Sequence, residues 1–272
     1  MKKHPKLISA QWPALANVHA FTTTRSLPCA KSEGIYASLN LALHTNDHAK
    51  QVIANRDCLA KTANLPSSPF WLNQTHGNVV HRIGSVSPEL KQDELKKHPL
   101  KKNAPEKEGS EKIVDADASV TSMKNIVCAV LTADCLPVFF CHRSGTEVAV
   151  AHAGWRGLHA GILQNTVAEM QSKVDDLLVW FGPAIGPTAF EVGEEVRQAF
   201  VEQDANHEKA FKRVDSNHFL CDLTLLARLA LSSVGVNAFY GDNYCTFSDS
   251  QRFYSFRRDG ETGRMASLIW FN

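Results

Sequence analysis

The sequence predicts an α/β fold in which buried sheets carry helices on their outer faces. Three observations point there. The runs NIVCAVLT (125–132), CLPVFFCH (135–142) and EVAVAHAG (147–154) are apolar almost throughout, the pattern of strands covered on both sides. Helical periodicity appears between such runs, as in GLHAGILQNTVAEMQ (157–171), where Leu158, Ile162, Leu163 and Val167 form one stripe. Finally, no internal repeat and no convincing linker divides the 272 residues, so the expectation is a single domain over 1–272.

The elements follow in order. VHAFTTTR (18–25) is rich in β-branched residues and reads as a strand, and SLPCAKSEGIYASLNLALH (26–44) reads mostly as loop. Asn46 or Asp47 is the expected N-cap of a helix running to about Ala63, with Val52, Ile53, Leu59 and Ala60 inward and Pro66 closing it. FWLNQTHGNVVHRI (70–83) has a polar, glycine-containing centre, so two strand pieces are expected with a bend at 75–78. LLVWFGPAIG (177–186) reads as a strand ending in a Gly/Pro turn. GEEVRQAFVEQ and LCDLTLLARLALSSVG read as amphipathic helices. FYGDNYCTF, FYSFRR and RMASLIWF are expected to be three closing strands.

Composition narrows the class. A hydrophobic fraction of 44% with 21% charged residues is that of a soluble globular protein, and a chain this long buries a core without staples. A net charge of +1 leaves no basic footprint for nucleic acid. The seven cysteines are odd in number and include no CxxC pair, which favours free thiols in a reducing cytosol. Gln11, Trp12 and Pro13 interrupt what would be a signal peptide, and no apolar run reaches the ~20 residues of a membrane span. A cytoplasmic location without membrane partners is therefore expected. Residues 88–112 include a stretch, 91–112, with seven lysines, five acids and two prolines; its interleaved charges suggest a solvated, mobile insertion more than a docking patch.

Three polar residues sit where apolar strands end: His76 in NQTHG, Cys135 in TADCLPV and His152 in HAGWRG. Turn signals follow each, namely Gly77, Pro137 and Gly154. A rigid strand end carries a side chain into a cleft. Two imidazoles and a thiolate suit zinc, and three protein ligands with an open fourth position suit catalytic zinc, which lowers the pKa of water. The spacing also allows the plainer reading, a buried cysteine and histidines bonded to backbone. His44 and His48 in HTNDH imitate a zinc pattern, but Asp47 is better explained as a helix cap. The twelve histidines include no HxH pair, which counts against a multicopper cluster.

These motifs resemble the YfiH-like family, also called laccase-domain or multicopper polyphenol oxidoreductase proteins, whose members are described as purine nucleoside phosphorylases. The matching pieces include SLNLALHTND (38–47), NQTHG (73–77), DADASVT (115–121), TADCLPV (132–138), HAGWRGL (152–158), GPAIGPTAFEVGEEV (182–196) and FYSFRRDGETGRMASLI (253–269). They span almost the whole chain. The resemblance implies a layered α-β-β-α sandwich with mixed sheets and a zinc held by His76, Cys135 and His152; copper is a possible substitute because of its higher affinity for such a site. It also implies phosphorolysis of adenosine, inosine, guanosine or methylthioadenosine, deamination of adenosine, and for some members a link to peptidoglycan precursor composition.

Within that expectation Asp134 is the candidate acid/base beside Cys135, with a structural turn residue as its alternative. Arg25, Arg156 and Arg257 are candidates for binding the phosphate co-substrate, with Arg258 behind them, and Asn40 for a ribose or base contact. Trp155 is a purine platform or a packing anchor. The chain departs from the family pattern in SLPCAKSEG after TTR, in Phe190 where a tyrosine is common, and in the lysine-rich insertion. Competing readings are a Cys–His thiol hydrolase or amidase with Cys135 as nucleophile, a copper-dependent phenol oxidase, and a nucleotide or cell-wall precursor binding module.

Overall fold

The continuous apolar runs become the central strands of two stacked sheets in the computed structural model, which describes residues 6–84 and 113–272. The first sheet has four strands, ordered β1 (Leu7–Ser9), β2 (Val18–Thr23), β15 (Met265–Phe271) and β7 (Cys128–Thr132), all antiparallel. The second has six: β14 (Phe239–Gly241), β10 (Leu177–Phe181), β8 (Leu136–His142), β9 (Val148–Ala153), β6 (Ala118–Thr121) and β4 (Val80–Ile83). It is mixed, because its outermost pairs β10–β14 and β4–β6 are parallel. Two short strands, β3 (Leu72–Asn73) and β5 (Val114–Asp115), pair in parallel beside them. A small sheet of β11 (Glu191–Gly193), β13 (His218–Cys221) and β12 (Phe211–Arg213) completes the set.

Strand alternation sorts the core into three layers. Cys128 and Val130 of β7, Ile269 of β15, Phe139 of β8 and Val150 of β9 meet between the two sheets. Ala129, Leu131, Leu268 and Trp270 face the other way, onto Leu59 of helix α1 (Ala49–Thr62). On the far side, Val138, Phe140, Ala149 and Ala151 pack against α2 (Trp155–His159), α3 (Ile162–Glu169), α4 (Glu194–Gln203) and α5 (Leu223–Ser232). The order is thus α-β-β-α. Phe139 and Phe140 are both fully buried, on opposite faces of one strand, and each contributes about 1.5–3 kcal/mol of apolar burial.

Local departures from the sequence expectations have identifiable causes. Helix α1 is capped at His48, not Asn46 or Asp47, because the Asp47 carboxylate accepts bonds from Ser32 Oγ and Asn40 Nδ2. The helix expected over 157–171 is two helices, broken where Gly161 takes φ +88°. FYSFRR is not a strand: Ser255 caps the short helix α6 (Phe256–Asp259) through Arg258 N. Cys29 and Cys58 form a disulfide with Cα atoms 5.8 Å apart, against the expectation that every thiol is free. The loop after β2 folds back onto α1, a proximity that a separation of 29 residues does not reveal. The lysine-rich insertion at 88–112 lies outside the described residues. Among the described residues no helix is long and apolar enough to cross a membrane.

Candidate metal centre

His152 belongs to β9, on the same face as Val148 and Val150, so it points between the sheets. Cys135 immediately precedes β8, whose Pro137 lies opposite His152 in the ladder. His76 sits in the turn between β3 and β4 at φ 60°, a left-handed conformation that turns the chain towards the other two residues. One donor atom from each of His76, Cys135 and His152 lies within 4.8 Å of the others. The imidazoles of His76 and His152 meet edge to face, 4.7 Å between centroids.

A single buried carboxylate organises this cluster. Asp117, immediately before β6, is fully buried and accepts the His152 Nδ1 proton at 2.8 Å. It also accepts the amides of Thr75 (3.1 Å), His76 (3.0 Å) and Gly77 (2.8 Å). The bond to Nδ1 leaves His152 Nε2 as the nitrogen that turns towards a metal, and a carboxylate behind a ligating histidine raises its basicity. Gln74 ties the same turn to β7 through both backbone groups of Leu131. Gly154 is required by space: a Cβ there would lie 2.9 Å from Cys135 Sγ.

The electrostatics follow from this packing. Burial pushes the Cys135 thiol up, but His152 and His76 overcome it and bring it down to about 6. Burial pushes the His152 imidazole down, while the Cys135 charge and the Asp117 hydrogen bond hold it up at about 9. Two imidazoles, one easily deprotonated sulfur and a carboxylate behind one of them fit a zinc ion with an open fourth position.

Two cavities meet at Cys135. The smaller, about 130 Å³, is walled by Trp155, Ile185, Phe190, Leu223 and Phe256, with Arg257 beside them. The larger, about 450 Å³, is more polar than the first: His76, His152, Gln74, His44 and Arg264 line it beside Leu131, Ala133 and Phe256. Cys135, Ala133 and Phe256 line both.

Residues 19–272 match the family described as multi-copper polyphenol oxidoreductase laccase. The chain belongs to that family. Among its relatives is the Escherichia coli K12 purine nucleoside phosphorylase YfiH, 45% identical over 269 residues that cover 97% of this chain and 98% of the relative. A purine nucleoside phosphorylase of Pseudomonas aeruginosa is 45% identical over 264 residues, covering 97% of each chain. A crystal structure of a Neisseria meningitidis protein superposes with TM-score 0.85 at 42% identity, covering 98% of this chain and 100% of that one.

In this laccase-family chain the remaining sequence candidates fare differently from the three donors. Asp134 is largely buried at φ 92°, and its carboxylate accepts from Thr246 Oγ1, Ser255 Oγ and Arg257 N. Asn40 is fully buried and bonded within its own loop and to Arg264 N. Arg25 donates to the carbonyls of Ala37 and Ser250 and lies over Tyr254, away from both cavities. Arg156 is exposed and stacks over Trp155 without lining either cavity. Arg257 does line the smaller cavity, with Nη1 donating to Glu191 O. Arg258 is spent on the carbonyls of Thr246, Phe247 and Phe253. Sequence reading missed Asp117, Arg264 and the cavity position of His44. The first two lie inside the matched motifs DADASVT and GRMASLI, but nothing local marks them as different from their neighbours.

Proposed function

We propose that this chain is a metal-dependent purine nucleoside phosphorylase, acting on adenosine, inosine, guanosine or methylthioadenosine, with adenosine deamination as a second activity. The observation that carries the reading is the His76–Cys135–His152 cluster at the junction of two cavities of unlike polarity. A nucleoside has a related division, a flat base whose faces pack against apolar walls joined to a polar ribose. Similarity to purine nucleoside phosphorylases over nearly the full chain supports it.

In this reading the base enters the smaller cavity between Trp155 and Phe190, and the ribose lies across Cys135 in the larger one. HPO4²⁻ forms the new C1′–O bond as the C1′–N9 bond breaks. The bonding pair leaves with the purine, which takes the proton that phosphate carried. Zinc held by His76, Cys135 and His152, or copper in its place, supplies Lewis-acid polarisation of substrate or water. Asp117 keeps His152 in the ligating tautomer. Asp134 enters as a positioning residue, because its oxygens hold Thr246, Ser255 and the start of α6.

The test is a nucleoside panel with and without phosphate, read for free base and ribose 1-phosphate, alongside metal content. Cys135→Ala is expected to lose zinc and both activities together; phosphorolysis surviving in the metal-free variant overturns the metal's role. The depressed Cys135 thiol beside His152 favours one second reading, a thiol hydrolase. Activity that withstands chelator but not alkylation of metal-free enzyme selects that reading instead.

A further inference from the structure

We infer that Arg264 and His44 form the phosphate-binding end of the larger cavity, and that buried Asn40 positions both. The anion chemistry stands on the cavity; naming the anion phosphate rests on the phosphorolysis reading.

The first observation is the charge of the walls. The larger cavity is lined by His44, His76, His152 and Arg264, and no aspartate or glutamate lines it. Arg264 is half-buried, and among the described residues no carboxylate lies within ion-pair distance of it. Its Nη1 is anchored on Thr262 O (2.6 Å) and Gly263 O (3.1 Å), which leaves Nε and Nη2 without a hydrogen-bond acceptor among the described residues, on a side chain that lines the cavity. Only the more distant charges of Cys135 and Asp134 offset the desolvation of this guanidinium, and a directly bound oxyanion offsets it further. Guanidinium is also the group whose planar fork matches phosphate oxygens.

The second observation is what surrounds His44. Desolvation lowers its pKa, and the nearby guanidiniums of Arg264 and Arg56 lower it further. Two guanidiniums therefore stand near this end of the cavity. Arg56 donates Nε to Leu41 O and lies 4.1 Å over Trp71, so it adds charge from behind the loop. The carboxylates that come near are engaged elsewhere: Asp134, whose charge reaches Arg264, accepts from Thr246, Ser255 and Arg257 N. Asp47 accepts from Ser32 and Asn40. Glu261, in the adjoining cavity that His44 and Arg264 also line, accepts from Tyr36 and Asn46.

The third observation is Asn40. One amide group bridges the two halves of the subsite. Its Oδ1 accepts Arg264 N (3.0 Å) and Ala42 N (3.1 Å), while Nδ2 donates to Thr45 Oγ1 (2.8 Å) and Asp47 Oδ2 (3.0 Å). The loop bearing His44 and the backbone of Arg264 thus share a single buried clamp. Asn40 does not reach a ligand; it fixes the separation of two residues that do. An anion held there lies in the same cavity as His76, Cys135 and His152, on the ribose side of the metal cluster.

The experiment compares zinc-loaded wild type with Arg264→Gln, Arg264→Lys, His44→Gln and Asn40→Ala. Two readouts are taken: KM for phosphate and for nucleoside separately, and calorimetric titration with inorganic phosphate alone. Arg264→Gln is expected to weaken phosphate roughly tenfold or more in both readouts, the loss of charge-assisted hydrogen bonds, with nucleoside KM within about twofold and zinc content unchanged. Arg264→Lys recovers part of the loss, and Asn40→Ala follows Arg264→Gln at smaller size. Unchanged phosphate affinity in Arg264→Gln and His44→Gln overturns the subsite while leaving phosphorolysis intact. A wild type that binds phosphate through Arg264 but makes no ribose 1-phosphate keeps the anion site and sinks the phosphorylase reading. If Arg264→Gln fails to fold, His44→Gln, altered at an exposed loop position, decides the question alone.

Discussion

Asp117 accepts the Nδ1 proton of His152 at 2.8 Å and, through the same carboxylate, the backbone amide of His76 at 3.0 Å. One buried anion therefore orients two of the three donor residues, one by its ring and one by its backbone. Asp117→Asn keeps the shape but replaces one acceptor oxygen with a donor that opposes the amides. Zinc affinity, measured by chelator competition, is expected to fall about 10–100-fold. An affinity unchanged within twofold would show that the cluster orients itself without Asp117.

Gly154→Ala tests how closely the chain must pass Cys135. The added Cβ would lie 2.9 Å from Sγ and 3.5 Å from His76 Cδ2. The variant is expected to fold, with a melting temperature near wild type, and to carry well under half the wild-type zinc. Full zinc occupancy would mean that the turn yields and the glycine is dispensable.

Metal-free protein offers a direct view of Cys135. A thiolate reacts and a thiol does not, so alkylation by iodoacetamide should rise with pH around 6, below the usual range of about 8.5. His152→Gln removes the main opposing charge and should move that rise upward. Added zinc should protect the residue. A wild-type midpoint near 8.5 would contradict the thiolate–imidazolium pairing.

Glu147 supplies a pH-dependent contribution far from the metal cluster. It is 3% exposed. Burial opposes its ionisation, but Ser172, the Gln171 amide and Arg82 overcome this and hold its pKa below the ordinary glutamate value. A depressed folded-state pKa gives stability that is present above the unfolded value of about 4.3 and lost as pH falls through the folded one. Glu147→Gln should cost about 2 kcal/mol at pH 7, and the gap to wild type should narrow below pH ~4. Urea denaturation at pH 7 and pH 3.5 measures both, and a gap independent of pH would refute the assignment.

Much of the architecture was legible because it rests on local patterns. Apolar runs such as CLPVFFCH identify strands buried on both faces, and period-3.6 stripes such as that of α5 identify the covering helices. The three donors were legible for a related reason: His76, Cys135 and His152 each interrupt an apolar run at a turn, and polarity there has a local signature. The short terms misread were also local contests. Asp47 and Ser255 had several partners available, and the choice among them lay outside any window of neighbours.

The sequence by itself determined the class of fold, the position of its main strands and the three residues that come together as a His–Cys–His cluster. Only the tertiary structure decided which polar side chains face a cavity and which turn inward. Asn40 looks like a ligand contact in sequence and Asp134 like an acid/base or a turn residue, yet buried backbone and hydroxyl groups claim both, Asp134 while lining the smaller cavity. Asp117 and Arg264 look ordinary, yet one stands behind His152 and the other opens into the cavity beside it. The physical reason is that burial periodicity is written within a few residues, whereas a hydrogen-bonding group takes its role from partners that folding brings in. For Asn40 and Arg264 those partners are 224 positions apart.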